Sequence, residues 1–320
     1  MSPKRFIAIA VSVALLAIIY AQVDVANLLT VFRQSRPGWL AISLGMFIPI
    51  TLVTSWRLQQ LMPPQNRINP LEANRLILGA SVLNMVLPSK MGDIAKAYFM
   101  QDRGNLSGTL SLSLVIFEKA CDMLSLLLWC ALGLFLYPQK DGLFWGLAFA
   151  IAAGLILGSL LLSCPAFSQL FLNGVGKIAP SKKIKAKLRS LSDSWDEMHD
   201  YFWQDRAQLL KITLTSIFLW YLHLLQIWLF TVALNAEVPL LANLALSPLA
   251  ILVGLLPFSF AGVGTRDAAL IYFYSDYFSK ATGAALGLLC TSRYLLPAIV
   301  GLPFLGQMLV AAKKLRESSQ

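Results

Sequence analysis

Long apolar segments recur along this 320-residue chain, and they constrain its fold more than any other feature. A helix needs about 20 apolar residues to cross the hydrocarbon core of a bilayer. Charged residues make up only 13% of the chain, against about 25% in a soluble domain. The composition therefore predicts an all-α polytopic membrane protein, and it excludes an ordinary cytosolic enzyme, a disordered chain and a nucleic-acid-binding protein. We predict full transmembrane helices at residues 6–23, 38–56, 109–136, 143–163, 212–234 and 284–310.

The first apolar segment follows Lys4 and Arg5, and a secretory signal peptide can begin in the same way. Small residues near Ala21 would suit a cleavage site. The apolar run is longer than the core of an ordinary signal peptide, so we interpret it as an uncleaved first helix.

Two further apolar stretches, 71–100 and 244–275, are interrupted near their middle by Pro and Gly. Pro removes a backbone donor and Gly relaxes the backbone, so we predict that helices end there, with Pro88 and Pro257 as hinges. In lipid, such a break is tolerated only where protein or a wet cavity satisfies the freed backbone groups.

The basic residues indicate how the interrupted stretches lie in the membrane. If both stretches return to the side from which they entered, most Lys and Arg residues lie in the cytoplasm, including Arg57 in a loop. Full crossings would carry the basic cluster between Lys177 and Lys211 to the outside. We therefore predict two re-entrant broken helices in a plasma membrane protein whose N- and C-termini are cytoplasmic.

The order helix, helix, broken helix, helix then occurs twice, and the two copies start on opposite sides. This order predicts two inverted repeats, 1–140 and 141–320, within a single membrane domain over 1–320. Matching interrupted segments in two halves indicate a transporter site near the midplane. The alternative is that both breaks are structural kinks.

A polar insertion over 177–206 interrupts the second repeat. Its apolar residues recur at spacings of three and four, among them Trp195, Met198 and Phe202, and basic residues crowd its start. The pattern predicts a cytoplasmic amphipathic helix. Such a helix lies on the leaflet, where each basic residue gains about 1 kcal/mol from anionic lipid, or it packs on the ends of the bundle.

Ionisable residues inside the membrane segments are the candidates for a binding site, because each costs about 2.5–3.5 kcal/mol at the bilayer centre. Glu118 and Asp122 share one helix face and need cations opposite them, for which Lys96 and Arg266 are candidates. Backbone amides at residues 262–265, at the start of a helix, suit a lipid phosphate. A buried ion-pair network that only fixes the fold is the alternative. The predicted headgroup-binding residues are Lys90, Gly92, Asp93, Lys96, Glu118, Asp122, Gly262, Gly264, Thr265, Arg266, Asp267 and Arg293.

Cysteine and histidine spacing indicates no metal or cofactor. His199 and His223 are far apart, and no triad or phosphate-binding loop spacing occurs, so we expect no metal, no cofactor and no catalytic residue. The four cysteines are interpreted as reduced packing residues: Cys121, Cys130, Cys164 and Cys290.

Three of these segments resemble the flippase-like membrane domain of the lysylphosphatidylglycerol synthase family. The family motifs are Gly-Glu-x-x-Arg, Glu-Arg-x-x-Asp and Pro-x-Ser-x-x-Gly-x-Gly-x-Arg-Glu. Residues 92–96, 118–122 and 257–267 are similar to these motifs in the same order. Lys96 and Lys119 stand where the family has Arg, and Lys lacks the planar fork that grips phosphate, so headgroup preference is expected to differ.

The resemblance implies a lipid translocase that binds or moves an anionic, aminoacylated or glycosylated lipid at a polar mid-membrane cavity. Membrane lipids are the expected partners, a homo-oligomer is compatible with this class, and nucleic acid is not expected. The sequence ends at Gln320 without the aminoacyl-transferase domain of the synthases, so we expect no synthase activity. The alternatives are an intramembrane enzyme with Glu118 or Asp122 as general acid/base, and an accessory subunit of a lipid- or glycan-lipid-modifying pathway.

Overall fold

The computed structural model describes residues 25–86, 91–137, 140–178, 192, 195, 198–256 and 263–306. Within these residues the chain is helical and contains no β-strand. In lipid, a chain has to form the hydrogen bonds of its backbone groups internally, and a helix does so within a single segment. The α-helices are α1 (Val25–Arg33), α2 (Pro37–Gly45), α3 (Phe47–Leu61), α4 (Pro70–Val86), α5 (Met91–Gly104), α6 (Gly108–Leu136), α7 (Gly142–Ser163), α8 (Pro165–Ile178), α9 (Arg206–Ala233), α10 (Leu240–Gly254), α11 (Thr265–Phe273) and α12 (Lys280–Gly301).

Five stretches of the described chain are long and apolar enough to cross a membrane. They coincide with five of the six predicted crossings, and the sixth, 6–23, lies outside the described residues. The prediction of an all-α polytopic membrane protein is therefore confirmed. The five spans are Pro37–Leu61, Gly108–Leu136, Gly142–Ser163, Arg206–Ala233 and Lys280–Phe304.

Side chains at the helix starts explain where several of these helices begin. Asn69, Ser107, Asp141, Asp205 and Ser279 each accept a hydrogen bond from the backbone amide three residues further on. The first amides of a helix have no intrahelical acceptor, so a short polar side chain at the N-cap stabilises the start by about 1 kcal/mol. These residues set the first turns of α4, α6, α7, α9 and α12.

Each of the two interrupted stretches consists of two shorter helices that pack against each other, as the Pro and Gly pattern predicts. Helix α4 ends at Val86 and α5 begins at Met91. Helix α10 ends at Gly254 and α11 begins at Thr265. Both pairs are in contact, α4 with α5 and α10 with α11. The predicted hinges, Pro88 and Pro257, lie outside the described residues, and the re-entrant and inverted arrangement stays a prediction.

The described residues form two compact units. Unit 1 takes its residues from 1–50, 126–151 and 220–296, and unit 2 from 51–125, 152–219 and 297–320.

The core of unit 2 includes part of the polar insertion. Trp195, Met198 and Phe202 are buried among apolar residues of this unit. The Phe202 ring stacks on the Phe117 ring of α6, with 4.4 Å between the ring centroids. For these three residues the apolar stripe therefore packs on the protein, which is the second of the two predicted arrangements.

Unit 1 contains a buried polar network between α9, α10 and the end of α11. The Asn243 amide nitrogen donates to the Leu224 carbonyl oxygen at 2.9 Å. The Tyr274 hydroxyl donates to Asn243 Oδ1 at 2.8 Å, and the Ser247 hydroxyl lies 2.6 Å from the same tyrosine oxygen. Each of these buried polar side chains is hydrogen-bonded, so the network holds the three elements in one register.

We predict that Gly133→Ala destabilises the protein while Gly146→Ala does not. A Cβ atom at Gly133 would overlap the Ala245 backbone oxygen, whereas a Cβ atom at Gly146 would meet nothing within 4 Å. Overpacking costs about 1–3 kcal/mol. Thermal denaturation of the detergent-solubilised protein should show a lower midpoint for Gly133→Ala only. Equal midpoints for the two variants would show that α6 and α10 do not pack closely at this position.

Candidate functional site

Six charged side chains of unit 2 form a closed ring of alternating charge, which we call the ion ring. Arg57 comes from α3, Asp93 and Lys96 come from α5, and the remaining three come from α6. In order around the ring, the members are Arg57, Glu118, Lys96, Asp93, Lys119 and Asp122. Every member has two partners of opposite charge, so the three cations and three carboxylates balance.

Arg57 and Lys96 make short contacts with Glu118 on the buried side of the ring. Arg57 Nη2 lies 2.9 Å from Glu118 Oε1, and Lys96 Nζ lies 2.8 Å from Glu118 Oε2. Arg57 also donates to the Asp122 carboxylate and, at 2.8 Å, to the Ser216 hydroxyl of α9. Both Glu118 oxygens are thus held by cations, as a carboxylate buried in a low-dielectric interior requires.

The opposite side of the ring is looser and more exposed. Lys119 Nζ lies 3.4 Å from Asp93 Oδ1 and 3.8 Å from Asp122 Oδ2. The Lys119 side chain is 41% exposed and that of Asp122 is 23% exposed, whereas Glu118 is 1% exposed. We call Lys119, Asp122 and Asp93 the open edge of the ion ring. Side chains of both signs are therefore partly exposed at this edge.

A close contact between α4 and α5 positions residues 92–96, the first of the three family-like motifs, in the ion ring. A Cβ atom at Gly92 would overlap the Ala80 carbonyl oxygen, so only glycine fits this contact. The Gly92 amide donates to Asn84 Oδ1 at 3.0 Å. Asp93 and Lys96, three residues apart in α5, then lie on the face that meets Glu118. Gly92 therefore permits the close helix packing that brings Asp93 and Lys96 into the ion ring.

Two members of the ring were missed by sequence reasoning. Arg57 was predicted to lie in a cytoplasmic loop, but α3 continues to Leu61 and the arginine is 2% exposed. Leu58 and Leu61, the apolar residues that follow Arg57, indicate in the sequence that the helix continues past it. Lys119 was not among the predicted headgroup-binding residues, because it follows Glu118 directly and an α-helix turns by about 100° per residue. Its long, flexible stem brings the ammonium group back to Asp122.

The second group of predicted residues lies in unit 1, where Arg266 pairs with its neighbour Asp267. The Arg266 Nη2 atom lies 2.7 Å from Asp267 Oδ1 and also donates to the Gly287 carbonyl and the Thr291 hydroxyl. Both members of the pair are buried. This cation is therefore balanced by an adjacent carboxylate.

The amide expected to face a lipid phosphate contacts a side chain of the protein itself. Gly264 has a φ of 92°, a conformation that favours glycine. Its amide donates to Asp267 Oδ2 at 3.1 Å, next to Thr265, the first residue of α11. A carboxylate at a helix N-terminus is stabilised by the helix dipole. In this structure Asp267 takes the place of the expected anion.

Arg293 in α12 contacts neutral groups. Its Nε donates to Gln226 Oε1 at 3.1 Å, and its Nη2 lies 2.7 Å from His223 Nδ1. Because arginine only donates, His223 accepts through Nδ1 and carries its own proton on Nε2. Arg293 lies one residue from the middle of the span Lys280–Phe304 and is partly exposed. Among the described residues, no carboxylate balances its charge.

Two predicted site residues, Lys90 and Gly262, lie outside the described part of the chain. The others divide between the two units. Unit 2 contains Gly92, Asp93, Lys96, Glu118 and Asp122, and unit 1 contains Gly264, Thr265, Arg266, Asp267 and Arg293.

The fold and the site thus define a class of protein: a polytopic helical membrane protein with an ion ring between its helices. It belongs to the lysylphosphatidylglycerol synthase TM region family, whose sequence pattern matches residues 5–301. The resemblance of the three motifs is therefore confirmed at the level of the family. A comparison with curated proteins found no match. The family indicates an integral membrane protein involved in lipid modification or transport.

We predict that Arg57→Gln destabilises the protein strongly, because it leaves Glu118 and Asp122 each with one cation. Removing one partner of a buried ion pair costs about 3–5 kcal/mol. The double variant Arg57→Gln/Glu118→Gln restores the charge balance and should recover part of the loss. Thermal denaturation in detergent measures both effects.

Arg103→Gln is the matched control for this series. Arg103 is 58% exposed and lies 3.7 Å from Asp102. An exposed pair contributes about 0–1 kcal/mol, so this variant should denature close to the wild-type midpoint. If Arg57→Gln and Arg103→Gln denature at the same temperature, the ion ring does not stabilise the fold.

Proposed function

We propose that the protein binds the phosphate-bearing headgroup of a membrane lipid inside the bilayer and moves the lipid between the leaflets of the plasma membrane. The observation that supports this proposal is the position of the open edge. Asp122 is the central residue of α6, and the partly exposed Lys119 precedes it by less than one turn.

A charge exposed at this depth needs a polar neighbour. The hydrocarbon core is about 30 Å thick, so the centre of a span lies about 15 Å from either interface. The four-carbon stem of Lys119 is far too short for its ammonium group to reach the headgroup layer. Because exposed charge facing lipid tails is expensive, we propose that the open edge faces a polar path that a headgroup can enter.

Arg293 supports the same function from unit 1. It too lies near the middle of a span, is partly exposed and has neutral hydrogen-bond partners. A guanidinium group binds phosphate through two parallel hydrogen bonds, so Arg293 is suited to an anionic group of a lipid.

We propose a transport role and no catalytic residue, and the contacts of Glu118, one of the two carboxylates suggested as general acid/base, support this choice. Glu118 is buried, and both of its oxygens accept hydrogen bonds from Arg57 and Lys96. A general acid/base has to reach the substrate and exchange a proton with it. The contacts of Glu118 favour a positioning role over catalysis.

We predict that Lys119→Gln slows lipid movement by at least about tenfold, because a hydrogen bond to a charged group contributes about 1.5–3 kcal/mol. The purified protein is reconstituted into vesicles that contain a fluorescent phospholipid. Chemical quenching of the label in the outer leaflet then follows lipid movement over time. Lys119→Arg keeps the charge and should retain most of the rate.

Lys140→Gln is the matched control, because Lys140 lies outside the spans and donates to the carbonyl oxygens of Leu134 and Tyr137. Thermal midpoints of all variants identify any loss of folding. A wild-type protein that moves no lipid, or a folded Lys119→Gln variant with the wild-type rate, would contradict the proposed function.

A further inference from the structure

We infer that the open edge of the ion ring binds a zwitterionic headgroup, one that carries both a phosphate and an ammonium group. This inference rests on the proposed function and names the class of lipid. Its basis is the arrangement of charge at the open edge, where Lys119 lies between the carboxylates of Asp93 and Asp122.

The open edge presents both signs of charge to one ligand. The Lys119 ammonium group suits a phosphate oxygen, and Asp93 and Asp122 suit an ammonium group. The two contacts of Lys119, at 3.4 and 3.8 Å, are longer than the Arg57 and Lys96 contacts to Glu118, at 2.9 and 2.8 Å. The ring therefore opens most easily at Lys119.

The buried side of the ring keeps the carboxylates in place when the edge opens. Asp122 still has Arg57 as a partner, and Asp93 still has Lys96. Each aspartate thus keeps one cation partner that holds it in place while Lys119 turns to a phosphate. A bound ammonium group then replaces Lys119 as their second cation.

The charge balance of the ion ring indicates which net charge a bound headgroup should carry. The ring contains three cations and three carboxylates, so it is neutral before binding. A headgroup with a phosphate alone would leave a net negative charge at the centre of a span, where uncompensated charge is most costly. A zwitterionic headgroup keeps the total charge at zero and supplies each displaced contact with a new partner.

The test is a competition for binding to the purified, full-length protein. The protein in detergent is mixed with equal amounts of phosphatidylethanolamine, which is zwitterionic, and phosphatidylglycerol, which is anionic, and the retained lipids are measured by mass spectrometry. The wild type should retain phosphatidylethanolamine over phosphatidylglycerol by at least about tenfold, the ratio that corresponds to 1.4 kcal/mol.

Changing the charge of the edge should reverse the preference. Asp122→Asn gives the ring one excess positive charge, so this variant should retain phosphatidylglycerol over phosphatidylethanolamine. Asp93→Asn makes the same change on α5 and tests the inference if the first variant does not fold. The control is Asp102→Asn, which alters an aspartate that is 45% exposed and outside the ring, and it should keep the wild-type preference.

Failure of this inference is distinguishable from failure of the proposed function. Equal retention of the two lipids by the wild type, or a preference unchanged in both folded ring variants, would overturn the zwitterion assignment even if vesicles show lipid movement. Retention of phosphatidylethanolamine with the expected reversal would support the assignment even if the vesicles show no lipid movement, and the translocase role alone would then fail.

Discussion

The contact between the Arg57 guanidinium group and the carboxylates of Glu118 and Asp122 is the interaction on which the ion ring depends. Two carboxylates one turn apart on a membrane helix repel each other, and in a low-dielectric interior neither is stable without a cation. Arginine satisfies both because its planar group carries donors in a fixed fork. This single side chain joins α3 to α6, and the remaining cations then complete the balance.

The two units satisfy their charges in different ways. In unit 2, the ring distributes charge over six side chains and leaves one edge accessible. In unit 1, Arg266 is balanced by its own neighbour, and that carboxylate also caps the start of α11. Arg293 has only neutral partners among the described residues. Compensated buried charges are suited to positioning, whereas exposed or unbalanced charges, such as those of Lys119 and Arg293, are suited to binding.

Glycine positions show how close packing serves the same arrangement. Gly92 lets α5 lie against the backbone of α4, and Gly133 does the same for α6 and α10. In a bilayer the hydrophobic effect does not drive helices together, so close van der Waals contact and interhelical hydrogen bonds do this work. The Asn243 and Tyr274 network supplies such hydrogen bonds in unit 1.

The sequence by itself determined the class of protein, the five membrane spans that the structure describes, the interruption of two helices and most members of the ion ring. These features depend on local physical rules: the length of an apolar run, a capping side chain, a Pro-Gly break and the spacing of residues on one helix face. Only the tertiary structure decided which charges meet. Arg57 and Glu118 are 61 residues apart in the chain, and helix periodicity fixes directions within one helix but not the contacts between helices. The partners of Arg57 and the open edge at Lys119 therefore followed from the packing of the helices, because a charge buried in the low dielectric of the interior needs a partner, and here that partner comes from another helix.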